Sequence, residues 1–158
     1  MITINTNCLN LIKSFEGLSL TPYYGKTDRA DVFTIGYGTI QYPPYYMRGK
    51  QVALSDPKIT EAQATDFLMW EVQKKSQEID LMLRDDLTGN QFGALISFAY
   101  NLGVGSLQMS TLRKKVNAKP ADKSIRAEFA KWVYANGVVV KGLQRRRGEE
   151  ADLYFKLG

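Results

Sequence analysis

The sequence of 158 residues contains no histidine and one cysteine, Cys8. The absence of histidine excludes Ser-His, Cys-His and other histidine-based acid–base mechanisms, and with one cysteine it also excludes a Cys/His metal site. A single cysteine cannot form an internal disulfide, so nothing in the chain requires an oxidising compartment. Proton chemistry near neutral pH must therefore come from carboxylates, tyrosines or a perturbed lysine. We predict neither a metal nor a cofactor.

Long apolar runs are also missing. No window approaches the roughly 18 consecutive apolar residues of a membrane span, so we expect no stable membrane insertion. The first residues lack the basic start and apolar run of a signal peptide, which predicts a soluble chain made in the cytoplasm. The net charge of +5 favours an anionic partner such as nucleic acid, an acidic membrane face or an acidic wall polymer, unless it serves only solubility.

The apolar periodicity predicts a short first helix and then a small sheet. Residues 8, 11, 12 and 15 are apolar at helical spacing, which indicates a helix over about 7–16 with Cys8 in the core and a stop at Gly17. Glu16 falls in its last turn, where the helix dipole favours a protonated acid. An irregular sheet of two or three strands is predicted from the alternating, glycine-containing segment 32–39 and the prolines that follow it. This region is rich in tyrosine, which suits sugar binding; the alternative is that the tyrosines only pack the sheet on its neighbours.

The remainder is predicted to be helical. Thr60 and Gln63 form a capping box that begins a helix over about 60–85, and a second box begins at Thr88. A helix of that length is expected to connect two lobes. One is a β-rich lobe of about 14–59, and the other is a helical lobe of about 86–158 that also includes the first helix. Within the helical lobe we predict a loop over 104–107, a helix reaching to Asn136-Gly137, and an apolar link over 138–140. The predicted class is α+β, in a single domain.

Three features of the sequence suggest chemistry. Glu16 with Asp28 or Asp31 supplies the two carboxylates of a hydrolase, although close acidic pairs also arise by chance. The run Arg145–Arg147 spreads around a helix, so one or two of these arginines could pair with a buried carboxylate, and a nucleic-acid stripe is the competing interpretation. The polar and glycine-rich segment 101–105 follows a helix and could equally be its C-terminal cap.

Taken together, these motifs resemble a known family. Phe15-Glu16-Gly17, the segment Thr-Ile-Gly-Tyr-Gly at 34–38, the segment 90–105 and Gly-Leu-Gln-Arg-Arg-Arg at 142–147 occur in the order found in phage-type lysozymes and endolysins, the muramidases of glycoside hydrolase family 24. The resemblance runs from about Leu11 to Tyr154. It implies a two-lobed lysozyme-like fold and hydrolysis of the β-1,4 bond between N-acetylmuramic acid and N-acetylglucosamine in bacterial peptidoglycan.

The resemblance assigns catalytic roles, with one departure from the family pattern. It implies that Glu16 is the general acid and that Thr34 lies beside the attacking water. The family places an aspartate or cysteine nine residues after the glutamate, where this sequence has Gly25, which can do no acid–base work. The loop is three residues longer than usual, and counting back six from Thr34 gives Asp28 as the second carboxylate, with Asp31 as the fallback.

The resemblance also implies supporting residues and partners. Asn101 is expected to hydrogen-bond the glycan, with Tyr37 and Gly103 as further substrate-binding residues, and either Arg145 or Arg146 is expected to pair with Glu16. The expected partner is peptidoglycan rather than nucleic acid, and the chain is expected to be a monomer. It would wait in the host cytoplasm until a separate pore-forming protein releases it to the wall. The alternative is a peptidoglycan-binding module that keeps the fold without turnover, which glycine at position 25 favours.

Overall fold

A computed structural model describes residues 4–24 and 32–158, a mixture of helices and small sheets that confirms the predicted α+β class. Tertiary contacts divide the chain into two compact units, one of Met1–Leu11 with Lys75–Gly158 and the other of Ile12–Lys74. The helices are α1 Thr6–Glu16, α2 Glu61–Asp80, α3 Gly89–Leu102, α4 Val104–Met109, α5 Thr111–Ala118, α6 Ile125–Ala130 and α7 Lys141–Phe155. The strands are β1 Ser19–Tyr24, β2 Phe33–Gly36, β3 Tyr134–Ala135 and β4 Val138–Val139.

The unit Ile12–Lys74 contains the predicted small sheet. Strand β1 pairs antiparallel with β2, with Ser19 opposite Gly36 and Tyr24 opposite Phe33. Beyond β2 the chain folds back at once, because the backbones of Ile35 and Thr39 exchange two hydrogen bonds of 2.9 Å. The predicted irregular sheet is confirmed, and it ends in a tight loop over 35–39.

Tyrosines in this unit serve both packing and the surface. The ring of Tyr42 is fully buried and lies 5.6 Å from that of Phe67, and the ring of Tyr46 lies 5.0 Å from both. Tyr24 and Tyr45, in contrast, are well exposed. Packing therefore accounts for part of the tyrosine content, as the alternative interpretation of the sequence required.

Asp56 accepts hydrogen bonds from three residues of the irregular segment that follows the sheet, between residues 42 and 53. Its carboxylate accepts hydrogen bonds from the Tyr42 hydroxyl at 3.0 Å, the Ala53 backbone at 2.8 Å and the Lys50 ammonium at 2.6 Å. Burial raises the pKa of Asp56, but the hydrogen bonds from Lys50, Ala53 and Tyr42 outweigh it and lower that pKa below the ordinary value of 3.8.

We therefore expect Asp56 to stabilise the fold in a pH-dependent way. A carboxyl whose pKa is lowered by folding contributes stability above its unfolded pKa of 3.8 and loses it as the pH falls through the lower, folded value. Asp56→Asn should lower the melting temperature at pH 6, and the difference from the parent should shrink as the pH falls below 3.8. Thermal unfolding followed at several pH values measures this, and a difference that stays constant with pH would contradict it.

Helix α2 begins as predicted and ends earlier. Gln63 donates its backbone N–H to the Thr60 hydroxyl at 3.1 Å, and Thr60 donates its own to the Gln63 side chain at 2.9 Å, so the capping box is confirmed. The helix ends at Asp80 rather than near residue 85. The next backbone bonds, from Met82 to Ile79 and from Leu83 to Asp80, span three residues and tighten the chain out of the α-helical repeat.

In the other unit, α3 packs against α7 and α7 against α6. The predicted loop over 104–107 is wrong, because these residues belong to helix α4. Gly103 has a φ of 95°, so a single residue turns the chain between α3 and α4. The Ser106 hydroxyl then donates to the Leu102 carbonyl at 2.9 Å, which satisfies an acceptor at the end of α3.

The predicted helix end at Asn136-Gly137 and the apolar link over 138–140 are also wrong. Helix α6 ends at Ala130, and β3 and β4 form a hairpin. Asn136 and Gly137 have φ values of 51° and 77°, the two positive angles that a two-residue hairpin turn requires. Asn-Gly between β-branched and aromatic residues was therefore a hairpin signal. Within residues 4–24 and 32–158, every helix is too short or too polar to span a bilayer.

Candidate active site

Glu16 is the last residue of α1. The next residue, Gly17, has a φ of 69°, and its N–H donates to the Lys13 carbonyl at 3.1 Å. This is the left-handed glycine stop that the sequence predicted. It ends the helix directly after Glu16, whose side chain is half-buried. The local sequence thus places a carboxylate at a helix terminus.

The tight loop after β2 approaches Glu16 through a glycine. Gly38 has a φ of 81°, and a methyl group added to it would lie 2.7 Å from Oε2 of Glu16. Gly36, with a φ of 64°, approaches α2 instead, where an added methyl would lie 3.3 Å from Cβ of Ala64. One glycine of the Thr-Ile-Gly-Tyr-Gly segment therefore allows the loop to pack on α2, and the other leaves room for the Glu16 carboxylate against the backbone.

Thr34 and Tyr23 belong to the same unit as Glu16. Thr34 is buried on β2, and its Cα is paired with that of Tyr23 on β1. Burial raises the pKa of the Tyr23 hydroxyl, and the charge of Glu16 raises it further. Tyr23 therefore interacts electrostatically with Glu16. Nothing in the sequence identified Tyr23 as a neighbour of the proposed acid.

The side chain of Tyr37, predicted to bind substrate, is buried in the unit Ile12–Lys74. Its side chain is 6% exposed and hydrogen-bonds to Glu61 and Thr65. The Lys13 ammonium lies 5.1 Å from the centre of its ring. Its role in sugar binding stays a prediction.

The predicted second carboxylate falls outside the described residues. Asp28, the fallback Asp31 and Gly25 all lie in the segment 25–31. The assignment of Asp28 or Asp31 to the attacking water therefore stays a prediction.

Asn101 and Gly103 lie at the end of α3 in the other unit. Gly103 donates its N–H to the Ala99 carbonyl at 2.7 Å and so closes the helix, as the capping interpretation of this segment required. Asn101 is half-buried, and its amide oxygen accepts a hydrogen bond of 2.8 Å from Nη2 of Arg147.

Arg147 belongs to a buried ionic network on α7. Glu150 is completely buried, Arg147 is 1% exposed and Arg146 is 4% exposed. Glu150 accepts from Nε of Arg147 at 2.7 Å, from Nε of Arg146 at 3.3 Å and from the hydroxyl of Ser97 at 2.7 Å. Two arginines of the run thus pair with a buried carboxylate, one of the outcomes the sequence allowed. The spacing of Glu150, three and four residues after them, was the available signal.

Two further predictions concern single residues. Arg145 is exposed on α7, and the pairing of Arg145 or Arg146 with Glu16 stays a prediction. Cys8 is fully buried, its thiol contacts the Gly93 carbonyl at 3.3 Å, and burial raises its pKa to about 12. The predicted core role of Cys8 is confirmed.

Among residues 4–24 and 32–158, no cluster of three or more cysteine, aspartate or glutamate side chains could hold a metal ion.

The chain is similar to known proteins over most of its length. The family model described as phage lysozyme matches residues 13–150. The chain is 40% identical over 147 residues to the endolysin of Bacillus phage B103, and the matched region covers 93% of this chain and 52% of that protein. It therefore spans about half the length of that relative. It is 32% identical over 155 residues to the endolysin of Acyrthosiphon pisum secondary endosymbiont phage 1, covering 96% of this chain and 97% of the relative.

A solved structure matches the fold over nearly the whole chain. The endolysin from Escherichia coli O157:H7 phage FAHEc1 superposes with a TM-score of 0.83 at 34% identity, covering 98% of this chain and 94% of that one. The predicted lysozyme-like fold is confirmed by this similarity.

Proposed function

Because the chain belongs to the phage lysozyme family, we propose that it is a muramidase that hydrolyses the β-1,4 bond between N-acetylmuramic acid and N-acetylglucosamine in bacterial peptidoglycan. The observation that carries the proposal is the seating of the Glu16 carboxylate at the end of α1 against Gly38. A helix-end carboxylate held against a loop has the fixed position that a general acid needs. The positive net charge suits an anionic wall polymer.

The proposed reaction uses two carboxylates. Glu16 protonates the glycosidic oxygen as the bond from that oxygen to the anomeric carbon breaks. Ionised Asp28, with Thr34, orients a water molecule and accepts its proton as the water attacks the anomeric carbon from the opposite ring face. The anomeric configuration is thereby inverted, and we expect the two carboxyl groups to lie about 6.5–9.5 Å apart in the bound state. Peptidoglycan is the proposed partner, bound by a monomer with Asn101 among its contacts. Delivery through a separate pore-forming protein stays a prediction.

The test of this function is the chemistry of the products. Purified peptidoglycan incubated with the protein should release fragments with N-acetylmuramic acid at the reducing end, identified by borohydride reduction and mass spectrometry. Binding to sacculi with no new reducing ends would support the non-catalytic module. Fragments that end in reduced N-acetylglucosamine would overturn the proposed bond.

Asp28 and Asp31 can be separated by substitution. Asp28→Asn should lower the rate of reducing-end release by about 10²-fold or more, because an amide cannot act as a general base. Asp31→Asn, the same change three residues away, should leave the rate within about twofold. The opposite ranking would transfer the role to Asp31, and an unchanged rate in both variants would remove it from this loop.

Gly38 is expected to set the position of the general acid. In Gly38→Ala the new methyl group would lie 2.7 Å from Oε2 of Glu16, so the carboxylate must move. A displacement of about 1 Å at a reacting group can cost about 10²-fold in rate. We expect a loss of about 10- to 100-fold in the rate of peptidoglycan hydrolysis.

Gly49→Ala is the matched control for Gly38→Ala. Gly49 has a φ of 69° and nearest neighbours at 3.4 Å, on the backbone of Pro44. It therefore has a similar conformational cost without contact to Glu16. Both variants should lose a similar amount of thermal stability, but only Gly38→Ala should lose the greater part of its activity. Equal activity in the two variants would contradict the positioning role.

A further inference from the structure

The hydrogen bond between Arg147 and Asn101 fixes which way the Asn101 amide faces. A guanidinium carries only donors, so the amide group must turn its oxygen toward Arg147. The observed contact, 2.8 Å from Nη2 of Arg147 to Oδ1 of Asn101, has this orientation. Nδ2 of Asn101, with its two donors, then points away from the guanidinium. Asn101 is half-buried, so it retains surface from which to contact a ligand.

Arg147 is itself held on several sides. Nε and Nη2 donate to the two oxygens of Glu150 at 2.7 and 3.2 Å, and Nη1 donates to the Trp132 carbonyl at 3.4 Å. The guanidinium carbon lies 5.2 Å from the centre of the Phe98 ring. Glu150 is anchored in turn by the hydroxyl of Ser97 on α3, the helix that carries Asn101. The guanidinium therefore cannot rotate without breaking a buried ionic contact.

We propose that Arg147 is a positioning residue, which locks the Asn101 amide so that it offers hydrogen-bond donors, and not an acceptor, to the glycan. The proposal rests on the proposed function, because it takes the ligand to be a peptidoglycan glycan and Asn101 to be one of the residues that contact it. A surface that offers only donors selects acceptor atoms. In this polymer the strongest acceptors are the carbonyl oxygens of the acetamido and lactyl groups, whereas the ring and glycosidic oxygens are weaker acceptors and each hydroxyl both donates and accepts.

The decisive variant is Asn101→Asp, measured in a Glu16→Gln background so that the ligand is not cleaved. Aspartate has the shape of asparagine, and its carboxylate can still accept from Arg147 with a charge-assisted bond, but the two donors are gone. We expect the melting temperature to be unchanged or higher. The affinity for a soluble N-acetylated peptidoglycan tetrasaccharide, measured by calorimetry, should fall about tenfold.

Arg147→Lys tests the positioning itself. Lysine keeps a positive charge for Glu150 but lacks the planar fork that reaches Asn101 at the same time. The affinity should fall about three- to tenfold, and Arg147→Lys combined with Asn101→Ala should bind no more weakly than Asn101→Ala alone. A structural role for Arg147 would change stability without this non-additivity.

The outcomes separate this inference from the function on which it rests. If the Glu16→Gln protein binds the tetrasaccharide and adding Asn101→Asp does not change the affinity, the inference is overturned and the proposed function stands. Additive losses in Arg147→Lys and Asn101→Ala would overturn the positioning role. If the background protein does not bind the tetrasaccharide and the parent releases no reducing ends from sacculi, the proposed function fails first.

Discussion

Glu16→Gln is expected to lower the release of reducing ends from purified peptidoglycan by at least about 10²–10⁴-fold, the usual contribution of a positioned general acid. Glutamine has the shape of glutamate and fits beside Gly38, where the Glu16 carboxylate lies close to the backbone. It has no acidic proton to transfer to the glycosidic oxygen. The loss should therefore be in turnover, while binding to sacculi and the melting temperature change little.

The control for this variant is Glu78→Gln, the same chemical change at an exposed position on α2. It should leave both activity and stability within experimental error of the parent. Full residual activity in Glu16→Gln would remove Glu16 from the mechanism. A melting temperature that falls in step with activity would mean that Glu16 acts through the fold rather than through the reaction.

Local signals allowed much of the fold to be predicted, because each involves residues a few positions apart. The polar residues Asn5, Thr6 and Asn7 supply possible N-caps for α1, and Asn5 is the one whose side chain accepts the Cys8 N–H, at 3.0 Å. Thr88 and Gln91 form the predicted capping box of α3. Gly17 ends α1 after Glu16, so the position of the proposed acid on its helix was also predictable. These features depend on backbone hydrogen bonds that neighbouring side chains complete, which a sequence displays directly.

The sequence misled, or gave no signal, where one residue or a distant contact decides the structure. Helix α4 follows α3 after a single glycine, Gly103, so a glycine-rich segment that suggests a loop is only a corner. The hydroxyl of Ser97 and the carboxylate of Glu150 meet across 53 positions, and no local periodicity reports that contact. The second carboxylate of the site depends on a loop whose length departs from the family pattern, so counting back from Thr34 selects Asp28 but leaves Asp31 as the fallback.

Glu150→Ala is expected to destabilise the fold by about 3–5 kcal/mol, because it leaves the buried guanidiniums of Arg146 and Arg147 without their counter-charge. Both arginines are at least nine-tenths buried, and Glu150 is fully buried. The Ser97 hydroxyl, which donates to Glu150 at 2.7 Å, also loses its acceptor. Chemical denaturation with urea or guanidinium chloride measures this change in the free energy of unfolding.

The neighbouring variant Glu149→Ala is the matched control, because Glu149 is exposed on the same helix and the change in helix propensity is identical. It should cost less than about 0.5 kcal/mol. Apolar replacement of Arg146, Arg147 and Glu150 together should restore much of the stability, since removing a whole buried ionic cluster is often neutral. The triple variant should nevertheless bind glycan weakly, because nothing then orients Asn101. Stability and glycan affinity that recover together would show that the network serves the fold alone.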